Sequence, residues 1–341
     1  MAVTIFSRRE SLRGLRRFDP SRDLRQVTEL ISEAFGANLD AEGRASLGDM
    51  QRLSALGPLV RFVLTADPSL QRLLNGYVWI EEGRVVGNLS LQSSLHYGGR
   101  WYISNVAVAP DFRGRGVGRS LMEAALDQVR QRGGGWTLLQ ADEGNVAAMK
   151  LYSRLGFSSL GSTAHLYRPS PETGRIAAEQ PARISLPGCR LYRPADWHAE
   201  YELAKAATPS LLQWWQPLRS ADFRLEVEDR LGEWFDKAMG RSRTYRWVVV
   251  KEGSPTEELA ASLRVRAARR KGEHQLRLMV HPEERGGMEE SLVQQAMGVL
   301  ASDSQRPVTA RHPSEHSEAI QAFLAHGFRV RRNLVSMRKR I

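Results

Sequence analysis

The stretch Trp101-Tyr-Ile-Ser-Asn-Val-Ala-Val-Ala-Pro110, continued by Asp111-Phe-Arg-Gly-Arg-Gly-Val-Gly118, decides the fold of this chain. Its first part predicts a β-strand, and the glycine-rich turn that follows leads directly into a helix. The helix is indicated by apolar residues at four-residue spacing and by three glycines that end it. These residues are Val117, Leu121, Ala125, Val129 and the glycines 133–135.

The turn between strand and helix predicts a binding site for phosphate. A helix N-terminus has unpaired backbone amides and roughly half a positive charge from its dipole, so it stabilises an anion without a dedicated side chain. Gly114, Gly116 and Gly118 lack a Cβ atom, which lets the backbone take positive φ angles and approach the ligand closely.

Two familiar phosphate-binding loops do not fit this turn. A Walker loop needs four residues between its first glycine and Gly-Lys-Ser/Thr, whereas three residues separate Gly114 from Gly118 and Arg119 follows. A dinucleotide fingerprint that starts at Gly114 needs a third glycine at position 119, which is arginine. Both loop types are therefore excluded.

A second stretch carries a matching pattern. Residues Leu138 to Phe157 predict a strand, a turn, a short helix and a Gly-Phe pair that enters another strand. Together with the spacing Arg113-x-x-Gly116-x-Gly118, this stretch resembles the two motifs of the GCN5-related N-acetyltransferase (GNAT) superfamily. In that superfamily the glycine turn holds the pyrophosphate of acetyl-CoA.

The resemblance implies an α/β fold with a mixed sheet (α+β) that splays between its fourth and fifth strands and admits the pantetheine arm. It assigns cofactor binding to Val106, Ala107, Val108, Arg113, Gly114, Arg115, Gly116, Val117, Gly118, Arg119 and Asn145. It also places the phenol of Tyr152 near the CoA sulfur, where a phenol can protonate the departing thiolate. A core tyrosine on the apolar face of its helix is the alternative interpretation.

The sequence leaves several candidates for the group that removes a proton from the acceptor amine. An amine with a pKa of about 10 is almost fully protonated at neutral pH, so a base or a desolvated pocket must take that proton. The predicted fourth strand offers Ser104 and Asn105 but no carboxylate. The remaining candidates are Glu33, His96, Asp142, Glu143 and a chain of water molecules.

Apolar patterns and turn residues predict the elements of the first half. They predict strands at 15–18, 77–81, 85–95 and 101–108, and helices at 22–35 and 41–56. Asp40 is the expected N-cap of the second helix, and Glu81-Glu82-Gly83-Arg84 is the expected hairpin turn.

The chain repeats itself. His281-Pro282 follows Ala109-Pro110 at an offset of 172 residues, and Gly327-Phe328 follows Gly156-Phe157 at an offset of 171. Two distant matches at nearly one offset predict a duplication, hence two tandem GNAT acyl-CoA N-acyltransferase domains. The predicted organisation is a first domain at 1–170, a proline- and glycine-containing linker at 171–188 and a second domain at 189–341.

The second copy has lost the residues that carry the chemistry. Depending on the offset, Glu289 or Glu290 takes the place of Gly118, and a carboxylate there satisfies the helix amides internally and repels phosphate. His316 and Phe323 replace Asn145 and Tyr152. We therefore expect a non-catalytic second half. The alternative, a second site with altered ligand preference, predicts two CoA molecules bound per chain.

Composition restricts the class of protein. The chain has 42% apolar residues. It has no apolar run approaching the about 18 consecutive residues that a membrane span needs, so we expect no membrane association. The single cysteine, Cys189, and the histidine spacing predict neither a disulfide nor a metal site, which fits a reducing cytoplasm. The net charge of +11 is spread evenly along the chain, so nucleic-acid binding is not expected.

The predicted function is transfer of an acetyl group from acetyl-CoA to a primary amine of a small molecule or peptide, with one site in the N-terminal half. The alternative is a catalytically silent acyl-CoA-binding regulatory or scaffold protein. The resemblance implies that the loop between the first two helices, residues 36–57, and neighbouring surfaces determine the choice of acceptor. A further hypothesis is that Trp214, Trp215 and Trp234 form a wall of the acceptor site. The alternative is that these tryptophans belong to an aromatic core. We expect a monomer or a homodimer.

Overall fold

The computed structural model describes residues 13–36, 41–57, 75–94, 98–170, 186–224, 242–254, 257–269, 272–301 and 306–341. Contacts divide the chain into two compact units. The first unit comprises residues 1–140, 147–158 and 337–341, and the second comprises residues 141–146 and 159–336.

The first unit is built on a mixed sheet. Its elements are β1 (Gly14–Arg17), α1 (Pro20–Phe35), α2 (Ala41–Ala55), β2 (Gly76–Glu81), β3 (Arg84–Ser93), β4 (Arg100–Val108), α3 (Val117–Gln131), β5 (Trp136–Asp142) and α4 (Val146–Arg154). The strands are ordered β1-β2-β3-β4-β5, and the last residues of the final strand, β12 (Arg329–Arg340), follow β5. Strands β1 to β4 are antiparallel, whereas β4 and β5 are parallel.

Local sequence explains the helix that opens the first unit. Asp19 caps α1 by accepting a hydrogen bond from the amide of Ser21 at 3.0 Å, and Pro20 occupies the first helical position. The buried apolar residues Val27, Leu30 and Ile31 pack on the sheet, whereas Leu24, at the same helical spacing, packs against Met50 and Leu53 of α2. The capping residue therefore explains where α1 begins, and the apolar spacing explains which face of the helix is buried.

The helix that follows the glycine turn packs closely on the sheet. Its apolar face is buried, and a Cβ atom on Gly87 of β3 would lie only 2.8 Å from Val117 Cγ1. Glycine at position 87 thus permits the short distance between α3 and the sheet.

The second unit is also a mixed sheet with helices. Its elements are β6 (Ser158–Arg168), β7 (Cys189–Leu191), α5 (Trp197–Ala207), α6 (Ser210–Trp215), β8 (Ser242–Val250), β9 (Leu259–Ala268), β10 (His274–Val280), α7 (Glu289–Ala301), β11 (Val308–Pro313), α8 (Ser317–Ala325) and most of β12. The strand order is β12-β6-β11-β10-β9-β8-β7, with β10 and β11 parallel. A core of apolar residues from β8 to β11, α7 and α8 holds the unit together.

The predicted elements of the first half are confirmed to within two residues at each end. The predicted hairpin turn is confirmed too, because Glu82 and Gly83 adopt φ angles of +49° and +79° between β2 and β3. The predicted N-cap Asp40 lies outside the described residues.

The two units do not coincide with the domains predicted from the sequence repeat. Strand β6 pairs with β11, from Thr163 with Pro313 to Arg168 with Val308, so it belongs to the second unit. Residues 337–341 belong to the first unit. The predicted linker 171–188 lies outside the described residues except for 186–188, and the domain boundaries stay a prediction.

Candidate functional site

A slot opens between the fourth and fifth strands of the first unit. Strand β4 pairs with β5 only from Arg100 with Trp136 to Ile103 with Leu139. In the described part of the chain, no strand pairs with residues 104–108 on the β5 side. The expected splay is therefore present, and the predicted residues Val106, Ala107 and Val108 lie along its edge.

An irregularity in β4 accompanies the slot. The register between β3 and β4 shifts between Asn88 and Ser90, and Asn105 adopts a φ of +52°. Such a bulge bends a strand and turns its edge, because one strand carries an extra residue. The bend lies at the point where β4 leaves β5.

The glycine turn after β4 leaves a row of amides without partners among the described residues. We call residues 113–119 the first cradle. Gly114 and Gly116 adopt φ angles of +74° and +83°, and Gly116 is the N-cap of α3. The amide of Ser120 bonds to the carbonyl of Gly116 at 3.0 Å, whereas the amides of residues 114–119 make no hydrogen bond with any described residue. The cradle therefore presents bare donors at a positive helix end.

The arginines of the first cradle are exposed, and each has a contact within the chain. Arg113 Nε donates to the carbonyl oxygen of Val108 at 3.1 Å, and the Arg115 guanidinium lies 5.1 Å from the centre of the Phe112 ring. Arg119 forms an ion pair with Glu123 at 2.7 Å, which raises the pKa of its guanidinium. These three charges favour an anion at the cradle.

Gly118 does not adopt the positive φ that its lack of a Cβ atom permits. Gly118 is the second residue of α3 and lies outside the left-handed region, because the turn already ends at Gly116. A Cβ atom on Gly118 would lie 3.5 Å from Leu151 Cδ2 and 3.7 Å from Val108 Cγ2. The small residue therefore brings α4 close to the start of α3.

Tyr152 lies on α4, one residue after the contact between Leu151 and the first cradle. Its side chain is 5% exposed and its ring packs edge-on against Phe157 at 6.1 Å. Burial raises the pKa of the phenol to about 12. The hydroxyl makes no hydrogen bond with any described residue, so a protonated phenol remains available at neutral pH.

Asn145 and two of the candidate bases occupy the turn before α4. The amide of Asn145 donates to Asp142 O at 2.9 Å, and Asp142 Oδ1 accepts from the amide of Gly144 at 2.9 Å. Glu143 accepts from Asn333 Nδ2 at 3.0 Å. These residues belong to the second unit, so the role of Asn145 toward the cofactor stays a prediction.

The other residues considered from sequence are dispersed. Glu33 lines an open groove of about 500 Å³ on α1 and α2, together with Arg25 and Glu29. Trp214 and Trp215 are half-buried on α6 of the second unit. His96 and Trp234 lie outside the described residues. None of these placements identifies the base.

A cavity of about 230 Å³ in the first unit was not foreseen from the sequence. It lies between α1, α2 and strands β3 and β4, with an apolar wall and a polar wall. The apolar wall is formed by Phe18, Val27, Met50, Leu53 and Leu89, and the polar wall by Ser46, Asp49, Asn75, Asn88, Ser90, Gln92 and Asn105. Residues 46, 49, 50 and 53 have the spacing of one helix face, a signal that could have identified their shared surface.

The polar wall is internally bonded. Asn88 Nδ2 donates to the carbonyl oxygen of Asn105 at 3.0 Å, and Asn105 Nδ2 donates to Ser90 Oγ at 3.2 Å. The side-chain oxygens of Asn88 and Asn105 make no hydrogen bond with described residues. Asp49 pairs with Arg52 at 3.0 Å at the surface. The wall can therefore accept hydrogen bonds from an N–H group.

The corresponding turn of the second unit is filled by its own carboxylate. We call residues 285–290 the second cradle. Glu289 is 3% exposed, and its two oxygens each accept from the amide of Gly286 at 3.0 Å while one also accepts from Met288 at 3.2 Å. Glu289 is the residue that the offset of 171 pairs with Gly118. The expected carboxylate therefore occupies this turn.

Two buried histidines hold Glu289 in place. His316 Nε2 lies 2.8 Å from Glu289 Oε1, and His312 Nε2 lies 2.8 Å from His316 Nδ1. Burial alone would raise the pKa of Glu289, but the hydrogen bonds from His316 and the backbone amides lower it to about 2. The carboxylate is therefore ionised and fully partnered.

The duplication is visible in the local geometry of the two units. Gly156 and Gly327 both adopt left-handed φ angles, +84° and +80°, directly before a buried phenylalanine. Phe323 packs edge-on against Phe328 at 5.1 Å, as Tyr152 packs on Phe157. The second unit thus keeps the ring contact and lacks the hydroxyl.

Two features are absent from the described residues. No helix there is both long and apolar enough to cross a bilayer. Those residues also contain no cluster of three or more His, Cys, Asp or Glu side chains arranged to hold a metal ion.

Sequence comparisons agree with these motifs. The model of the acetyltransferase (GNAT) family matches residues 54–157. N-alpha-acetyltransferase 30 of Schizosaccharomyces pombe is 34% identical over 83 residues, which cover 24% of this chain and 55% of that protein. Mycothiol acetyltransferase of Thermobispora bispora is 31% identical over 147 residues, which cover 42% and 46%. The chain thus spans about half the length of each relative.

Solved structures share the architecture over nearly the whole chain. A GCN5-related N-acetyltransferase from Sphaerobacter thermophilus superposes with a TM-score of 0.57 at 17% identity, covering 97% of this chain and 96% of that one. A tandem GNAT protein from the clavulanic acid biosynthesis pathway superposes with a TM-score of 0.50 at 18% sequence identity. The superposition covers 96% of this chain and 98% of that one. Residues 54–157 therefore belong to the GNAT acetyltransferase family, and the chain as a whole has the mixed α/β fold of tandem GNAT proteins.

Proposed function

We propose that this protein is an acetyl-CoA-dependent N-acetyltransferase with one active site, in the first unit. The observation that carries the proposal is the first cradle, where the amides of residues 114–119 have no partner among the described residues. A diphosphate supplies acceptors for several of these amides and the negative charge that the helix end favours. The chain therefore offers a site that a CoA diphosphate fits.

The slot beside the cradle supports the same ligand. A free strand edge pairs with amides in an extended chain, as another strand would, and pantetheine carries such amides. We assign this contact to Val106, Ala107 and Val108, which follow the bulge at Asn105. Arg113, Gly114, Arg115, Gly116, Val117, Gly118 and Arg119 are assigned to the diphosphate, and Asn145 to the pantetheine arm.

Acetyl-CoA, when bound, supplies an acetyl group activated as a thioester. We propose Tyr152 as the proton donor to the thiolate that leaves after transfer. Its buried phenol, with a pKa of about 12, is protonated at neutral pH, so it can donate a hydrogen bond and its proton to the sulfur as the bond between sulfur and the acetyl carbon breaks. The proton that the acceptor nitrogen loses on forming the amide balances the proton that the sulfur gains.

We propose the cavity beside Asn105 as the site of the acceptor amine. The side-chain oxygens of Asn88 and Asn105 can accept hydrogen bonds from the amine, and Asp49 supplies a carboxylate at the rim. Two relatives are named mycothiol acetyltransferase and N-alpha-acetyltransferase 30, and we propose small-molecule and peptide amines as the candidates. The apolar wall suits an amine with a short apolar segment.

The test is amine-dependent release of CoA from acetyl-CoA, with a panel of small-molecule and N-terminal peptide amines. Wild type is expected to release CoA with at least one amine, and Tyr152→Phe to lower kcat by about a hundredfold at unchanged acetyl-CoA affinity. Tight binding of CoA without acceleration by any amine would contradict the proposal and favour a regulatory or scaffold protein.

A further inference from the structure

The end of the chain is part of the first unit. The amide of Ile341 donates to the carbonyl oxygen of Gly135 at 3.1 Å, and the Arg338 guanidinium lies 4.8 Å from the centre of the Trp136 ring. The first contact joins Ile341, which follows β12, to Gly135, which precedes β5, and the second joins the end of β12 to the start of β5. Residues 337–341 therefore belong to the first unit.

One side chain of this segment reaches the helix that carries Tyr152. Lys339 Nζ donates a hydrogen bond of 2.6 Å to the carbonyl oxygen of Leu155. Leu155 directly follows the last residue of α4, where carbonyl groups lack helical partners and the helix dipole is negative. A lysine ammonium satisfies both the carbonyl and the dipole there.

A glycine leaves the space for the contact between Lys339 and Leu155. The next residue, Gly156, adopts a φ of +84°, and a Cβ atom on it would lie 2.9 Å from Lys339 Nζ. Glycine thus makes room for the ammonium at the end of the helix. The amide of Phe157 then bonds to the carbonyl of Tyr152 at 3.0 Å, while its ring packs on the Tyr152 ring.

We propose that Lys339 is a positioning residue for Tyr152, an inference that rests on the proposed function. By fixing the end of α4, the ammonium holds the register of the turn from Tyr152 to Phe157 and with it the phenol. Proton transfer requires the donor within hydrogen-bond reach of the acceptor, so a small displacement of the phenol slows the reaction without altering diphosphate binding.

The test uses the full chain and a double-mutant cycle. Lys339→Met keeps the length of the side chain and removes its charge and donors, and Lys339→Arg restores both. Arg340→Ala is the matched control, because Arg340 is exposed and adjacent. Each variant is measured for kcat with acetyl-CoA and the fastest amine of the panel, for affinity to acetyl-CoA and for thermal unfolding.

We expect Lys339→Met to lower kcat by about tenfold to a hundredfold with unchanged acetyl-CoA affinity, Lys339→Arg to recover most of the rate and Arg340→Ala to behave as wild type. Because Lys339 acts through Tyr152, the double variant Lys339→Met/Tyr152→Phe should be no slower than Tyr152→Phe alone. Thermal unfolding and acetyl-CoA affinity report whether each variant is folded.

Two results would overturn the inference. One is a Lys339→Met rate equal to that of wild type. The other is a double variant slowed by the product of the two single effects, which would show that Lys339 acts independently of the phenol. A wild type inactive with every amine would instead overturn the proposed function, and this inference with it.

Discussion

The two cradles of this chain share a backbone and differ in what satisfies it. In each, a strand ends at a short 3-10 turn that begins with proline, then a glycine adopts positive φ before a helix starts. The amides of the first cradle have no partner within the described part of the chain, whereas those of Gly286 and Met288 in the second cradle bond to the carboxylate of Glu289. The two cradles thus differ at one position of the repeat. The first cradle has Gly118 there, the second residue of its helix, and the second cradle has Glu289, the first residue of its helix.

The second cradle also shows how a duplicated site closes. His316, at the position of Asn145, turns to the carboxylate at 2.8 Å, and His312 supports it from behind. Residues from both motif positions thus bond to each other. A buried carboxylate is stable only with such partners, so these side chains depend on one another.

Gly118→Glu gives the first cradle a carboxylate like that of the second, and we expect it to have the largest effect of the substitutions considered. The position tolerates a Cβ atom at ordinary contact distances, so the fold should survive. A carboxylate at the helix start would compete for the amides and repel the diphosphate, so we expect a loss of CoA affinity of at least about a thousandfold by calorimetric titration. Gly118→Ala is the control and should bind. Retained affinity in Gly118→Glu would show that the turn is misassigned.

Glu289→Ala should destabilise the protein. The substitution leaves His316 and the amides of Gly286 and Met288 without their buried partner, so we expect a loss of about 3 kcal/mol in the free energy of unfolding. Denaturant unfolding measures it. Glu290→Ala, at the exposed neighbour, should change stability by less than about 0.5 kcal/mol. Equal effects of the two substitutions would refute the role of Glu289.

Acid should remove the stabilisation from Glu289. Its pKa falls from 4.5 to about 2 on folding, so the stabilisation is fully present above pH 4.5 and is lost as pH falls toward 2. Relative to Glu289→Gln, wild type should lose about 2 kcal/mol between pH 7 and pH 3. A difference between the two proteins that stays constant over this range would contradict an ionised carboxylate in the cradle.

Alkali should have little effect through Tyr152. Burial raises the pKa of its phenol from 10.0 to about 12, so the donor stays protonated up to pH 10. The ratio of kcat for wild type and Tyr152→Phe should therefore be constant from pH 7 to pH 10, about where an exposed tyrosine is half ionised. A ratio that falls with a midpoint near pH 10 would mean that the phenol is solvated.

The local elements around the cradles follow from sequence because short-range patterns determine them. Val117, Leu121, Ala125 and Val129 predict the buried face of α3, and Gly114 and Gly116 adopt the positive φ that their lack of a Cβ atom permits. The carboxylate in the second cradle also follows from the repeat, because the duplicated frame shows which residue replaces Gly118.

Longer-range features do not follow from such patterns. Strand β6 pairs with β11, and the end of β12 lies in the first unit, although the sequence repeat suggests two contiguous halves. Pairing between distant strands leaves no local signal. The bulge at Asn105 and the polar cavity beside it arise from backbone geometry and from side chains of four different elements, so spacing along one element could not predict them.

Crystals grown with acetyl-CoA give the most direct test of the difference between the cradles. We predict one ligand per chain, with its diphosphate on the amides of residues 114–119 and its pantetheine arm along Val106 to Val108, while Glu289 keeps its bonds to Gly286 and His316. Diphosphate density at the second cradle, or at neither cradle of a chain that binds CoA in solution, would contradict the account.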